Sequence, residues 1–284
     1  MDLCNIDEIK ALLARHGFHF SKAKGQNFLT QSWVPQNIVL ESGVDETCGV
    51  LEVGPGIGPL TQQLCRYAKK VVAVEVDRTL QPVLAETMAG NENLEIIFGD
   101  ILKTDISALV QEEFAGLRPM ACANLPYYIT TPIAEQFLPM LPRVLLLMVQ
   151  QEAAARFFAA PGDRVYGPVA ILSALYYEAA RLFSVPPGSY YPQPDVESAV
   201  ILLRRRDDDA LKALPAANAM LRFSRTALSM RRKTLANNFP RDGRMSALLA
   251  EAGLDPAVRA ETLPPETLAA LCTAYPADDA LSAR

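Results

Sequence analysis

Four stretches of the 284-residue chain carry side chains able to act together: Leu51-Glu52-Val53-Gly54-Pro55-Gly56-Ile57-Gly58, Glu75, Gly99-Asp100 and Asn124-Leu125-Pro126-Tyr127. In the first, Gly54, Gly56 and Gly58 alternate with other residues. Glycine permits positive φ and lets the backbone approach a ligand closely. The spacing does not fit the dinucleotide fingerprint G-x-G-x-x-G, because Pro59 stands where the last glycine would be, and it does not fit the P-loop pattern. A structural tight turn would use the same glycines, so the loop gains meaning only from its neighbours. Glu75 closes the apolar run that begins at Val71. A carboxylate at the end of the next strand can accept both hydroxyl protons of a ribose and would repel a 2′-phosphate. Taken alone, Glu75 would read equally well as a surface charge at a strand end. Asp100 is placed to accept from the exocyclic amine of an adenine ring, although Asp is also a favoured helix cap.

The Asn124-Leu125-Pro126-Tyr127 turn suggests a reaction. The exocyclic N6 of adenine is a poor nucleophile because its lone pair is delocalised into the ring. Two acceptors facing its two N–H groups draw it toward a tetrahedral geometry. The Asn124 side-chain oxygen supplies one acceptor, and the backbone carbonyl of Leu125 or Pro126 the other. Proline fixes φ near −65° and pre-sets the turn. Tyr127 offers a flat face on which an extruded base can stack. A sulfonium methyl donor is electrophilic enough that no general base is needed beforehand. The competing reading is a polar loop with a packed tyrosine.

These residues must be carried by regular elements. Short apolar runs predict strands at Gly49–Val53, Val71–Val76, Leu94–Phe98, Met120–Ala123 and a fully buried Val144–Val149. Helical segments alternate with them near Leu60–Tyr67, Thr79–Met88 and Ile133–Leu141. Such alternation predicts a mostly parallel sheet covered by helices on both faces. Arg181–Val185 and Ser198–Leu203 read as an antiparallel hairpin on one sheet edge. Beyond Arg206 the pattern becomes helical, near 210–236, 244–252 and 265–274, with Gly253 and Pro264-Pro265 as breakers. We therefore expect a domain over 1–206, with an N-terminal arm of one helix and an irregular segment, and a helical domain over 207–284.

Half the residues are hydrophobic and 21% are charged, as in an ordinary globular protein rather than a disordered one. No apolar stretch approaches the roughly 20 residues of a membrane span. The opening Met1-Asp2-Leu3-Cys4-Asn5 has no basic region followed by an apolar core, so no signal peptide is expected. Five scattered cysteines without a CxxC pair suggest reduced thiols in a cytoplasmic protein. His16 and His19 have no acidic or thiol neighbour in sequence, and no metal is expected. The net charge of −5 argues against nucleic acid only when taken whole. From Arg204 to Arg244 there are eleven Lys/Arg and four Asp, a local excess of +7. Residues 10–40 hold Lys10, Arg15, Lys22 and Lys24 and no acid. An acidic protein can still offer one basic face to phosphates, because screening confines the field to about 8–10 Å. A basic run such as Phe223–Lys233 could also be only a solvated helix face.

Taken together, these motifs resemble those of the KsgA-type small-subunit ribosomal RNA adenine dimethyltransferases, along nearly the whole chain. Gly25-Gln26-Asn27-Phe28-Leu29 matches the family's N-terminal cofactor motif, Glu52–Gly58 its methionine-side loop, and Asn124–Tyr127 its catalytic motif. Arg231-Arg232-Lys233-Thr234-Leu235 matches a stretch of its C-terminal domain. The resemblance implies a Rossmann-like class I methyltransferase sheet with a small all-helical C-terminal domain. It implies S-adenosyl-L-methionine (SAM) as methyl donor, held by Asn27, Leu29, Gly54, Gly56, Glu75, Asp100 and Asn124. It also implies catalytic roles for Asn124, Leu125, Pro126 and Tyr127. Tyr190 stands where the family has a phenylalanine thought to cover the second face of the target base; its π face survives, and its hydroxyl needs a partner. The implied reaction places two methyl groups on N6 of each of two adjacent adenosines near the 3′ end of small-subunit rRNA, in a late assembly intermediate. Arg225, Arg231, Arg232 and Lys233 would face the rRNA, and the protein would be a monomer. An Erm-type enzyme acting on large-subunit rRNA shares the loop and the turn, but the Arg-Arg-Lys-Thr-Leu stretch favours the small subunit. A DNA adenine methyltransferase would want a large target-recognition domain. An assembly factor that binds without turnover is the reading from another class, and the intact Asn124 turn argues against it.

Overall fold

The computed structural model describes residues 1–20, 26–125 and 129–275. Its strands are β1 (Phe28–Leu29), β2 (Cys48–Val53), β3 (Lys70–Glu75), β4 (Leu94–Phe98), β5 (Arg118–Asn124), β6 (Val144–Gln150), β7 (Tyr177–Val185), β8 (Tyr190–Tyr191) and β9 (Ser198–Arg205). The chain forms two compact units. The first comprises 1–133, 142–154 and 180–203, and the second 134–141, 155–179 and 204–284. The second unit thus takes up more than the tail beyond 206. Helix Pro168–Tyr176, nearly all of it buried, belongs with helix Ala217–Ala227, and the Tyr176 hydroxyl donates to the Pro215 carbonyl at 2.6 Å.

The sheet, in strand order β4-β3-β2-β5-β6-β9-β7, belongs to the first unit apart from the first residues of β7 and the last of β9. The pairs β2/β3, β3/β4, β2/β5 and β5/β6 are parallel. Strands β2 and β6 are buried along nearly their whole length, as expected for parallel strands covered on both faces. The two late strands are neighbours at one edge, with β9 inside and β7 outermost. From β2 the chain runs outward through β3 and β4, then returns to build β5 and β6 on the other side. The topological switch point therefore lies between β2 and β5, where open α/β sheets open a crevice for ligands.

Local chemistry sets the flanking helices. Asn5 caps helix Ile6–Arg15 by accepting from the N–H groups of Asp7 and Glu8. Pro59 opens helix Pro59–Tyr67, directly after Gly58, and Leu60 and Leu64 face the core beside Val50, Val71 and Leu146. A second cluster seats Ile9, Leu12 and Leu13 against Phe28, Ile57 and Leu84, which anchors the N-terminal helix beside the loop.

Two expectations are corrected. His16 has an acidic partner, since its Nε2 lies 2.6 Å from Glu86 Oε2 and Arg15 binds the same carboxylate. That partner is 70 residues away in sequence, which local spacing does not reveal. The helical stretch expected near 210–236 is broken into helices Asp208–Leu211 and Ala217–Ala227 and a short 3-10 turn at Leu235–Asn238. Asn238 ends the long helix: its Nδ2 donates to the Ala227 carbonyl, while its Oδ1 accepts from Met230 N–H at 3.0 Å and from Ser229 Oγ at 3.2 Å. In the same unit Phe239 packs between Phe223 and Tyr275 in tilted geometry, with ring centroids 5.1 and 5.0 Å away.

Candidate active site

The carboxyl ends of β2, β3 and β5 and the turn after β4 open into one cavity of about 230 Å³ within the first unit. Gln26, Asn27, Phe28, Leu29, Gly54, Gly56, Glu75, Asp100, Asn124, Leu125 and Tyr190 all line it. Residues scattered over more than 160 positions are brought together because parallel strands end on the same side. Pro126 and Tyr127 lie outside the described residues.

The glycine loop forms the floor. Gly54 and Gly56 have φ of 70° and 63°. The positive φ is what favours glycine at Gly56, and a Cβ there would also come within 3.2 Å of the Phe28 ring and press on it. The Gly54 N–H donates to the Val74 carbonyl at 2.9 Å, tying the loop to β3. Asn124 ends β5 opposite Met148 of β6, and the next residue, buried Leu125, donates its N–H to the Met148 carbonyl at 3.0 Å. The backbone oxygen of Asn124 lies 3.9 Å from where a Gly54 Cβ would stand, so loop and turn are immediate neighbours.

Glu75 is 5% exposed. Its Oε1 accepts from Asp77 N–H at 2.8 Å and its Oε2 from Gly56 N–H at 3.2 Å. Each oxygen retains lone-pair capacity toward the cavity. Burial raises the Glu75 carboxyl above its ordinary value, the backbone donors of Asp77, Gly56 and Val76 oppose this, and the Asp77 charge adds to the rise. Asp100 combines a local cap with a place on the cavity wall. Its Oδ1 caps the following turn by accepting from Leu102 N–H at 3.0 Å, while the residue lines the cavity. Lys103 Nζ is 3.7 Å from its Oδ2.

The N-terminal motif reaches this rim through tertiary pairing. β1 pairs antiparallel with β8, so Leu29 faces Tyr190 and Phe28 faces Tyr191. Thr30 N–H donates to the Ser189 carbonyl at 2.8 Å. Tyr190 is buried, and its hydroxyl contacts Met148 Sδ at 3.3 Å, which supplies the partner its ring position requires. Met148 thus touches the Tyr190 hydroxyl with its sulfur and the Asn124 turn with its carbonyl.

Sequence reasoning missed several features here. Gln26 lines the cavity and donates to Asp77 Oδ2, while Asp77 Oδ1 accepts the Thr79 N–H and hydroxyl. Val76 and Leu102, both exposed, offer apolar surface at the cavity wall. The signal was an apolar residue close behind each strand-end acid, in Glu75-Val76 and Asp100-Ile101-Leu102. Glu52 reads in sequence only as part of the loop. It is 1% exposed, and its Oε2 has no hydrogen-bond partner. Burial pushes its carboxyl up to about 8, helped by the nearby Glu75 charge. The Thr61 hydroxyl, close but outside hydrogen-bonding geometry, draws it back only in part.

The four basic residues expected to face RNA lie in the second unit and differ in occupation. Arg232 and Lys233 are exposed. Arg225 is exposed and pairs with Glu135 through Nε at 3.0 Å. The expectation for Arg231 is revised, because its guanidinium is engaged with the protein: Nε with Glu261 at 2.8 Å, Nη2 with the Asp163 carbonyl at 3.0 Å, and Nη1 with the Tyr166 carbonyl. Among the described residues no cluster of three potential metal ligands occurs, and no helix is long and apolar enough to cross a membrane.

Comparison with known proteins gives concordant results. The family described as ribosomal RNA adenine dimethylase matches residues 17–275. A relative from Geobacillus thermodenitrificans, named Ribosomal RNA small subunit methyltransferase A, is 41% identical over 96% of this chain and 97% of its own. One of the same name from Enterococcus faecalis is 40% identical over 93% of each chain. Among solved structures, a dimethyladenosine transferase from Plasmodium falciparum superposes on 86% of this chain and 95% of its own, with a TM-score of 0.65. At 24% identity that likeness speaks for the fold. The 23S rRNA methyltransferase ErmE covers 87% of this chain and 99% of its own, at 25% identity and a TM-score of 0.60.

Proposed function

The chain belongs to the ribosomal RNA adenine dimethylase family, and we propose that it dimethylates N6 of two adjacent adenosines near the 3′ end of small-subunit rRNA, with SAM as donor, in a late assembly intermediate in the cytoplasm. The observation that carries this reading is the convergence of Glu75, Asp100 and Asn124 on one cavity at the sheet's switch point, next to a loop whose Gly54 and Gly56 adopt positive φ.

The cavity suits SAM. Gly54 and Gly56, with Asn27 and the Leu29 backbone, would hold its methionine end, Glu75 its ribose hydroxyls and Asp100 its adenine amine. Val76 and Leu102 would flank the ring. When bound, the donor supplies a methyl group on a positively charged sulfur, which is electrophilic without further activation. The rest falls to the chain's own groups. The Asn124 side-chain oxygen and a backbone carbonyl of its turn accept from the two N–H groups of the target amine and stabilise its pyramidal form. Such acceptors act most strongly where charge develops in the transition state. Tyr190 and Tyr127 would enclose the extruded base. Arg225, Arg232 and Lys233 would position the rRNA through phosphates, whereas base contacts in the cavity select the adenine.

Nucleoside mass spectrometry of each rRNA, after unmethylated subunits are incubated with the protein and SAM, tests the proposal. Dimethyladenosine confined to small-subunit rRNA is expected. Product in large-subunit rRNA would favour the Erm-type reading, and tight binding without product would favour a non-catalytic assembly factor.

A further inference from the structure

Arg231 sits inside the basic stretch yet points its donors at the protein. Three acceptors hold it: the Glu261 carboxylate and the backbone carbonyls of Asp163 and Tyr166. The loop it grips, 160–166, is stitched down elsewhere as well. Gly162 N–H donates to the Glu261 carbonyl at 2.7 Å and the buried Tyr166 gives its hydroxyl to the Leu263 carbonyl at 2.9 Å, while inside the loop Ala160 N–H donates to Asp163 Oδ2 at 2.8 Å. On the other side, Lys233 N–H closes a turn onto the Met230 carbonyl at 2.9 Å. Arg231 therefore joins two exposed segments of the second unit. One carries Arg232 and Lys233. The other carries Arg164, exposed between the two carbonyls that Arg231 holds.

Resting on the function proposed above, we propose that Arg164 contacts the same run of rRNA phosphates as Arg232 and Lys233, and that Arg231 is the positioning residue that rivets the two segments into one cationic edge. The chemistry favours this division. A guanidinium presents a planar fork of five donors, suited to several fixed acceptors at once. Each of the three nitrogens of Arg231 already serves an internal acceptor, which commits three of its five N–H groups and fixes its direction toward the protein. Arg164, Arg232 and Lys233 stand on backbone whose position is set before RNA arrives, so less ordering is required on binding.

The test measures affinity of the full-length protein for unmethylated small subunits across a salt series. SAM affinity and thermal unfolding serve as folding controls. Arg164→Gln, a surface change, is expected to weaken binding about fivefold to tenfold and to lower the salt slope by roughly 0.7–0.9, the yield of one phosphate contact. Glu261→Ala separates a rivet from a simple field. Removing a negative charge should tighten binding to RNA on electrostatic grounds alone, whereas loss of the rivet weakens it. In the Arg164→Gln/Arg232→Gln/Lys233→Gln background, Arg231→Gln should cost nothing further, and Arg231→Lys should fail to replace Arg231 in the wild-type background. Unchanged binding by Arg164→Gln, tighter binding by Glu261→Ala, or a further loss of salt slope from Arg231→Gln in the triple variant would each overturn the proposal. If wild-type protein instead prefers large subunits, the small-subunit reading fails. The same variants measured on large subunits would still decide the rivet.

Discussion

Glu52→Gln isolates a carboxyl buried within the sheet. Glu52 lies in β2, in register with Cys122 of β5 and Ala73 of β3, with 1% of its surface exposed and Oε2 unpartnered. Its carboxyl rises from 4.5 to about 8, mainly through burial. The folded protein therefore keeps a proton that the unfolded chain releases above its ordinary value, and stability falls as pH rises from about 4.5 to about 8, then levels off. A tenfold change in proton affinity corresponds to ~1.4 kcal/mol, so the full effect approaches roughly 5 kcal/mol. Glutamine fills the same space, resembles the protonated acid and does not titrate. Wild type and variant should thus be similar near pH 5, and the variant should gain about 3 kcal/mol relative to wild type by pH 7.5. Glu75 is also raised, and it imposes a slope on both proteins that cancels in the comparison except for its coupling to Glu52. Urea unfolding monitored by circular dichroism at several pH values between about 5 and 9 measures this difference directly. Parallel stability curves for the two proteins would show that Glu52 is solvated or paired in the fold, and the reasoning from burial would be wrong.

Glu75→Ala should weaken SAM binding by roughly 1.5–3 kcal/mol, the range for hydrogen bonds to a charged group, and calorimetry on the isolated protein decides; unchanged affinity would remove Glu75 from the site. Asn124→Ala should lower single-turnover methylation of unmethylated small subunits by about 10²–10³ while subunit binding survives, and a near wild-type rate would refute the acceptor mechanism. Tyr190→Phe removes the contact with Met148 Sδ and keeps the ring, so the cost in urea unfolding should stay below about 1 kcal/mol with activity retained. A large loss of turnover there would mean that the hydroxyl itself takes part in the reaction.

Much of this protein was legible from its residues. The largely apolar runs of β2, β3, β5 and β6, with the partly buried edge strand β4 beside them, declared a parallel sheet, because strands covered on both faces are predominantly apolar. Gly54 and Gly56 were readable because positive φ at both, and a tight approach to the Phe28 ring at Gly56, leave a mark on residue type. Glu75, Asp100 and Asn124 were readable because each follows or ends a strand, and strands in a parallel sheet deliver their ends to one side. What the chain does locally is written locally.

The remainder depended on contacts between distant segments. Nothing near Tyr190 says that it pairs with Leu29 or rests on Met148, since those partners lie 161 and 42 residues away. Gln26 gains its place only by meeting Asp77, and His16 its partner only by meeting Glu86. Glu52 reads in sequence as one residue of a motif, whereas burial makes it a carboxyl shut away from water, a property of the packed sheet rather than of its neighbours in sequence. Arg231 carries the same lesson with opposite sign. A run of Arg231, Arg232 and Lys233 reads as three equivalent charges, because sequence records charge and not direction. Only the fold, by placing the Asp163 and Tyr166 carbonyls and Glu261 around one guanidinium, turned that arginine inward and left its two neighbours exposed.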